Sequence, residues 1–399
     1  MSCFGVVIAL FRRRGNNGQD GRMAAETVAL TPQRGYANAM PDNKNLSQKN
    51  GAENGQESQK KEFDPTRYGS YSGPVATIED FEVIKHIGSG AYGEVGAARK
   101  TCGVDQGEIY AMKVMEKKRM IKHEDMVQHE WKILTTIENP FFMSMKYSFQ
   151  TNRHLIFVMT LAGGGDMLTL IEKECLSEPS AHFYLCELVE AVGYLHSQHI
   201  IHRDIKLENL LVANDGHLLV TDYGLAATNK FAEDSTEGLI GTRHTMAPEI
   251  HLKKKYGPSC DWWAVGITYC DMRSDKPCFD GDTSTEYSES TVKRRPRLPK
   301  CLSPRERGFL NRLIVRNPSQ RLGTGPDGTM YVKRHDIFKA VNWDDVVAKK
   351  MVPPFVPNQE MIKNFKCFPE SAKNASFPTF EHPTPIYWPV VDFTAEALL

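Results

Sequence analysis

Residues 200–212 read IIHRDIKLENLLV and bring together His202, Arg203, Asp204, Lys206 and Asn209. Asp204 can accept or orient the proton of a hydroxyl. Lys206 can neutralise an anionic group as it moves, and Asn209 offers an amide oxygen to a metal ion. Eighteen residues after Asp204, the stretch Thr221-Asp222-Tyr223-Gly224 adds a carboxylate, Asp222. A carboxylate plus an amide oxygen suits a hard cation such as Mg2+, which keeps its remaining waters and phosphates. The chemistry these residues fit is phosphoryl transfer to a hydroxyl.

A second constellation lies upstream. Gly88, Gly90, Gly93 and Val95 form GxGxxGxV. Glycines let a backbone come close to phosphate oxygens with no side chain in the way. The pattern alone is weak. After a strand and before a helix it would mark a dinucleotide fold. Here FEVIKHIG, residues 81–88, alternates as a strand, and EVGAARK and EIYAMKVM read as further strands. A glycine loop between antiparallel strands points elsewhere. Lys113 sits in the third strand, where a lone lysine is usually just solvated. Its meaning depends on a partner. Glu130, in the helical stretch HEDMVQHEWKILTTI with Ile133 and Leu134 on its apolar side, is the preferred one. Glu116 and Glu124 are weaker rivals. A Lys113–Glu130 pair would hold the ammonium against the α and β phosphates of a nucleotide.

The chain around these elements has 399 residues, with 49 Lys plus Arg against 49 Asp plus Glu. That balance excludes a globally basic nucleic-acid binder. A hydrophobic fraction of 41% is enough for a core. Nine cysteines at irregular spacing, with no CxxC pair, fit a reducing compartment better than a disulfide framework or zinc ribbon. No apolar run is long enough to span a bilayer. Residues 12–75 are polar and aperiodic, so the segment 1–75 is expected to be disordered. At its start, Cys3, a short apolar stub and Arg12 to Arg14 have the order of a weak two-signal membrane contact over residues 3–14. The same residues also fit a plain terminus.

Taken in order, the glycine loop, Lys113, Glu130, HRDxxxxN, Asp222 and Ala247-Pro248-Glu249 match a known set. The chain resembles the eukaryotic protein-kinase family from about Phe81 to Phe338. The resemblance implies an α+β bilobal fold, with a small β-rich lobe over about 81–161 and a large, mainly helical lobe over about 166–338. It implies ATP and Mg2+ as cofactors, with Asn209 and Asp222 holding the metal and Asp204, Lys206, Lys113 and Glu130 in the catalytic machinery. Ile87, Val95 and Ala111 above and Leu211 below would enclose adenine. Met159 to Asp166 would form the hinge, and Asp166 would reach the ribose or a basic substrate residue.

The AGC group of serine/threonine kinases is the branch it resembles. HRDIKLENLL, Asp261-Trp262-Trp263 and PSQRLGTGPDG carry that likeness, with Arg321 paired to Glu249. Residues 339–399 resemble the group's C-terminal extension. The catalytic loop and NWDD are similar to ribosomal-protein and stress-activated kinases. VMTLAGGGDM and EKKRMIK are similar to G-protein-coupled receptor kinases. The implied activity is that of a protein serine/threonine kinase, cytoplasmic, with nuclear or peripheral-membrane placement as variants. The alternative is a pseudokinase acting as a nucleotide-binding scaffold. Asp166, Glu208 and Asp271 lead to an expected preference for basic residues before the phosphorylated hydroxyl, while Arg243-His244-Thr245 departs from the group's Pro-Glu-Tyr. Phe377 to His382 resembles the hydrophobic motif, with Phe377 and Phe380 expected to fill a small-lobe pocket and Glu381 to supply a fixed negative charge. Gly238 stands where a phosphothreonine is usual, so the activation loop is expected to need no phosphate and to be held by an Arg203–Glu237 contact or by simple packing, the competing reading being phosphorylation of Ser235 or Thr236 in a shifted register.

Overall fold

The structure, a computed structural model, describes residues 76–90, 93–120, 123–151, 153–172, 174–228, 238–363 and 377–378. Segment 1–75, with the expected membrane contact at 3–14, lies outside the described residues. So do Ser235, Thr236, Glu237, Phe380 and Glu381.

The first part of the fold is a five-stranded antiparallel sheet. Its strands are β1 (Phe81–Gly90), β2 (Gly93–Lys100), β3 (Ile109–Glu116), β4 (Met145–Gln150) and β5 (His154–Thr160), in the order β1-β2-β3-β5-β4. A short helix α1 (Lys117–Met120) and the longer α2 (Glu124–Thr136) separate β3 from β4. Strand side chains alternate between faces. Ala111 pairs with Ala97 on one side and Met159 on the other, and Lys113 pairs with Val95 and Phe157. Those six residues therefore share one face of the sheet. The opposite face buries Phe81, Met112, Val114, Tyr147, Phe149, Ile156 and Val158.

The second part is mainly helical. It comprises α3 (Met167–Ile171), α4 (Glu178–Ser197), the short strands β6 (Ile200–Ile201), β7 (Leu210–Val212), β8 (Leu218–Val220) and β9 (Ala227–Thr228), then α5 (Pro248–His251), α6 (Ser259–Arg273), α7 (Ser284–Lys293), α8 (Pro304–Leu313) and α9 (Gly328–Lys333). Helix α4 starts cleanly because Ser177 caps Ser180 N and Pro179 lies in the first turn. Helix α8 opens with a capping box of Ser303 and Glu306 behind Pro304. Nearly every residue of α6 is buried, which makes it the centre of the large lobe rather than a surface helix. Arg321 forks onto Glu249 at 2.7 and 2.9 Å and also donates to the Ser259 carbonyl, tying the start of α5 to that of α6.

Two further helices follow, α10 (Trp343–Val347) and α11 (Gln359–Lys363). Trp343 meets the Phe338 ring edge-on at 5.2 Å, and Val346 is fully buried. The chain then passes Gly216, where an added Cβ would stand 2.3 Å from the Phe355 carbonyl oxygen, and brings Ile362 against Gly163. The extension thus returns to the linker between the lobes.

Candidate active site

On the small-lobe side, Lys113 Nζ donates to Glu130 Oε1 at 2.5 Å, and both side chains are almost fully buried. Helix α2 brings Glu130 inward because Val127, Trp131, Ile133 and Leu134 bury the same flank in the core. Of the rivals, Glu116 bonds Arg119 at 2.8 Å, and the Glu124 side chain is outside the described set. Burial pushes the Glu130 carboxyl up, Lys113 opposes that, and the charge of Asp222 adds to it. Asp222 therefore lies close to the pair.

The glycines differ from the expected loop. Strand pairing continues through Gly88, Ser89 and Gly90, which face Val95, Glu94 and Gly93. Residues 91 and 92, which join them in the chain, lie outside the described residues. Gly93 is required by the sheet itself, since a Cβ there would stand 1.9 Å from the Val114 carbonyl oxygen. At Gly88 a Cβ would meet only Val95, at 3.9 Å, so that position stays open above the cleft. Ile87, Val95 and Ala111 form one apolar cluster with Ala97 and Leu161, two residues the sequence did not single out. Leu211 belongs to the large-lobe core, and it bridges to Asp166 beside the linker. Met159, on the same sheet face as Ala111, packs into the core with Phe157 and Leu155. Asp166 is turned inward: both its oxygens accept from Thr169, from N at 2.8 Å and from Oγ1 at 2.9 Å, so it serves as the N-cap of α3.

The large-lobe platform is a network. Hairpin β7–β8 pairs Leu210 with Val220, and Thr221 N donates to the Asn209 carbonyl, which sets Asn209 beside the Asp222 segment. Asn209 Nδ2 donates to the Asp204 backbone carbonyl at 2.8 Å and to Asp204 Oδ2 at 3.0 Å. Lys206 Nζ is 3.1 Å from the same oxygen. Thr242 N donates to Asp204 Oδ1 at 2.8 Å, and Lys206 Nζ donates to Thr242 Oγ1 at 2.7 Å. Burial alone would push the Asp204 carboxyl up, but Lys206 and the Thr242 hydrogen bond hold it below the ordinary carboxylate range. Asp204 is thus a buried, ionised acceptor.

Asp261, fully buried in the first turn of α6, supports this loop from behind. It accepts from His202 N and Arg203 N, both at 2.9 Å, and from His196 Nε2 at 2.9 Å. These contacts hold Arg203 at φ 66, a left-handed conformation that residues other than glycine rarely adopt; Asp222 shares it at φ 66. His202 Nδ1 accepts from Asp204 N, so Nε2 carries the proton and donates to the Thr221 carbonyl. One ring thereby couples the two left-handed residues. The Arg203 guanidinium donates to the Leu225 and Ala226 carbonyls. The expected Arg203–Glu237 contact lies outside the described residues. Tyr223 is buried, and its hydroxyl donates to the Val220 carbonyl at 2.7 Å.

Two expectations concern the surface. Phe377 joins the aromatic cluster on the outer face of the sheet. Its ring lies 6.4 Å from that of His86, and a Cβ on Gly96 would stand 2.6 Å from it. Phe380 and Glu381, the other residues of that motif, lie outside the described residues. Asp271, expected to be open to substrate, is engaged by His244 Nε2 at 2.7 Å. Thr242, Asp261 and His244 were not picked out as a group from the sequence. Their only signal was position: the Gly-Thr pair before APE, the Asp-Trp-Trp run, and a histidine in place of the group's usual glutamate.

An orphaned atom tests whether the site fits a cation. Asn209 Oδ1 is buried and has no hydrogen-bond partner among the described residues, because the amide nitrogen is spent on Asp204. A buried oxygen acceptor next to the Asp222 segment is the donor set a hard divalent ion takes.

Comparison with known proteins agrees with this arrangement. Residues 81–338 match the family described as "Protein kinase domain". The chain is 40% identical over 302 residues to the serine/threonine-protein kinase AtPK2/AtPK19 of Arabidopsis thaliana, covering 74% of this chain and 63% of that one. It is 36% identical over 285 residues to RAC-beta serine/threonine-protein kinase of Homo sapiens, covering 70% and 58%. Ribosomal protein S6 kinase alpha-6 of Danio rerio is 35% identical over 296 residues, covering 73% and 40%. The chain thus spans less than two thirds of the length of these relatives. With the two-lobed fold and the matched domain, the chain belongs to the protein kinase family.

Proposed function

We propose that the chain is an ATP-dependent protein serine/threonine kinase that moves the γ-phosphoryl of ATP to a hydroxyl of a protein substrate. The observation that carries this reading is the ionised Asp204 held among Lys206, Thr242 and Asn209, beside a buried Asn209 amide oxygen that has no hydrogen-bond partner among the described residues. In the reaction the substrate oxygen bonds to the γ-phosphorus, the bridge to the β-phosphate breaks, and ADP leaves. Asp204 orients the hydroxyl and takes its proton. Lys206 offsets charge on the moving phosphoryl, and Lys113, steadied by Glu130, grips the α and β phosphates. This is positioning and charge neutralisation rather than covalent catalysis. Asn209 and Asp222 would hold Mg2+, which when bound neutralises phosphate charge. Ile87, Val95, Ala111 and Leu211 would enclose the adenine, with Gly88, Gly90 and Gly93 near the phosphates and Met159 and Asp166 bounding the linker.

The preferred protein sites carry basic residues before the hydroxyl, a reading supported by Glu208 and Asp271 on the large lobe. The reading extends to a cytoplasmic protein with weak membrane contact through residues 3–14, carried by the order of Cys3, the apolar stub and the arginines. Among the described residues, no helix is long and apolar enough to cross a membrane.

The test is transfer of radiolabelled phosphate from ATP to a generic basic protein. Wild type should label it, and Asp204→Asn should lower the rate by about 10²–10⁴-fold, the usual worth of a positioned general base. An Asp204→Asn variant with wild-type transfer would sink the proposal.

A further inference from the structure

His244 lies two residues beyond Thr242, whose backbone N–H binds Asp204. Its Nε2 faces Asp271 Oδ2 at 2.7 Å, and its Nδ1 is 3.1 Å from the Tyr287 hydroxyl. That hydroxyl has one hydrogen and also lies 3.1 Å from the His244 carbonyl oxygen, to which it donates. In that arrangement Nδ1 donates to the tyrosine oxygen and Nε2 to a carboxylate. Two donating ring nitrogens make an imidazolium. The side chains are only partly covered, His244 being 33% exposed and Asp271 14%. The pair therefore opens onto the surface near the catalytic aspartate.

The surroundings agree. Burial would lower the His244 pKa, but the charge and hydrogen bond of Asp271 from α6, with Glu208 from the turn before β7, raise it above the ordinary histidine value. Tyr287 of α7 is the neutral group opposite, with His251 of α5 ring-to-ring behind it, and Arg243 is the exposed neighbour in the chain.

We infer that His244 is a specificity-determining residue: as a cation it occupies the place beside Asp271 and Glu208 that a basic side chain of the substrate would otherwise take. This rests on the proposed basic-site preference and sharpens it. While His244 is charged, the acids there are largely matched, and a substrate arginine gains little over a neutral residue. As pH rises through the raised His244 pKa, the imidazolium loses its charge and Asp271 becomes available. The preference for arginine should therefore grow with pH, although arginine itself does not titrate in this range.

The experiment uses the full chain and serine peptides carrying arginine or alanine at each of six positions before the hydroxyl. It reads the ratio of kcat/KM for the arginine and alanine peptides between pH 6 and 8.5. Because each ratio is taken on one preparation, partial unfolding cancels. In wild type the ratio at one position should rise about tenfold across this range, the worth of one charge-assisted hydrogen bond. His244→Gln should show the high ratio at every pH, and Asp271→Asn the low ratio at every pH. An arginine preference that is flat with pH and unmoved by both variants would overturn the role of His244 and leave the basic-site reading standing. No arginine preference in any of the three proteins would overturn both.

Discussion

The two sides of the cleft are held together in different ways. On the small lobe, Lys113 meets Glu130 through one contact of 2.5 Å between a strand and a helix, each arriving from its own packing. On the large lobe, Asp204 receives bonds from Asn209, Lys206 and Thr242, and its loop is fixed from behind by Asp261. The first arrangement joins two separately packed elements, β3 and α2. The second has several independent restraints, so no single side-chain contact sets its geometry. The proposed catalytic base is thus over-determined, whereas the lysine proposed to grip the nucleotide meets Glu130 only where β3 and α2 pack together.

The largest effect that would break this contrast is at Asp261. Asparagine would accept only through its single oxygen, and its NH2 would face a backbone N–H of His202 or Arg203. Asp261→Asn should cost about 3 kcal/mol in chemical unfolding, the scale for an unmatched buried group. Burial works to raise the Asp261 carboxyl, but the hydrogen bond and charge of His196 and the bonds from the loop hold it below the ordinary value. A depressed folded pKa contributes stability that is present above the unfolded value, near about 4, and is lost as pH falls through the folded one. The stability gap between wild type and Asp261→Asn should therefore be full at pH 7 and narrow below about pH 4. A gap constant with pH would contradict this account.

Glu130→Gln sharpens the other side. The amide oxygen can still accept from Lys113, so what disappears is the charge assistance. Steady-state kinetics should show kcat/KM for ATP lower by about tenfold or more. A fall as large as that of Asp204→Asn would mean that the two sides are not as different as their contacts suggest.

The smallest change is Tyr223→Phe. It removes a buried hydroxyl bonded to the Val220 carbonyl, yet that carbonyl still accepts from Met143 N at 3.2 Å. With the acceptor still satisfied, thermal unfolding should report a loss below about 1 kcal/mol and transfer activity should change little.

Local chemistry was legible in the sequence because its spacing is short. Asp204 and Asn209 are five residues apart and touch, and the Lys113–Glu130 contact follows from a strand and a helix whose apolar patterns state their own faces. Ala111 and Lys113 stand two apart in one strand, so alternation puts them on one face, whereas Val95 joins that face through the pairing register. What lay beyond such reading are contacts between groups far apart in the chain. Asp261 reaches His202 across 59 residues, Thr242 reaches Asp204 across 38, and His244 finds Asp271 across 27 and Tyr287 across 43. Periodicity says which face of an element is buried but not which element will cover it. The same limit explains Asp271, expected open yet matched by a histidine 27 residues away. A carboxylate's type and position in the chain tell what it can bind. Only the packed fold decides which donor reaches it first, because that choice rests on distances set by the whole core.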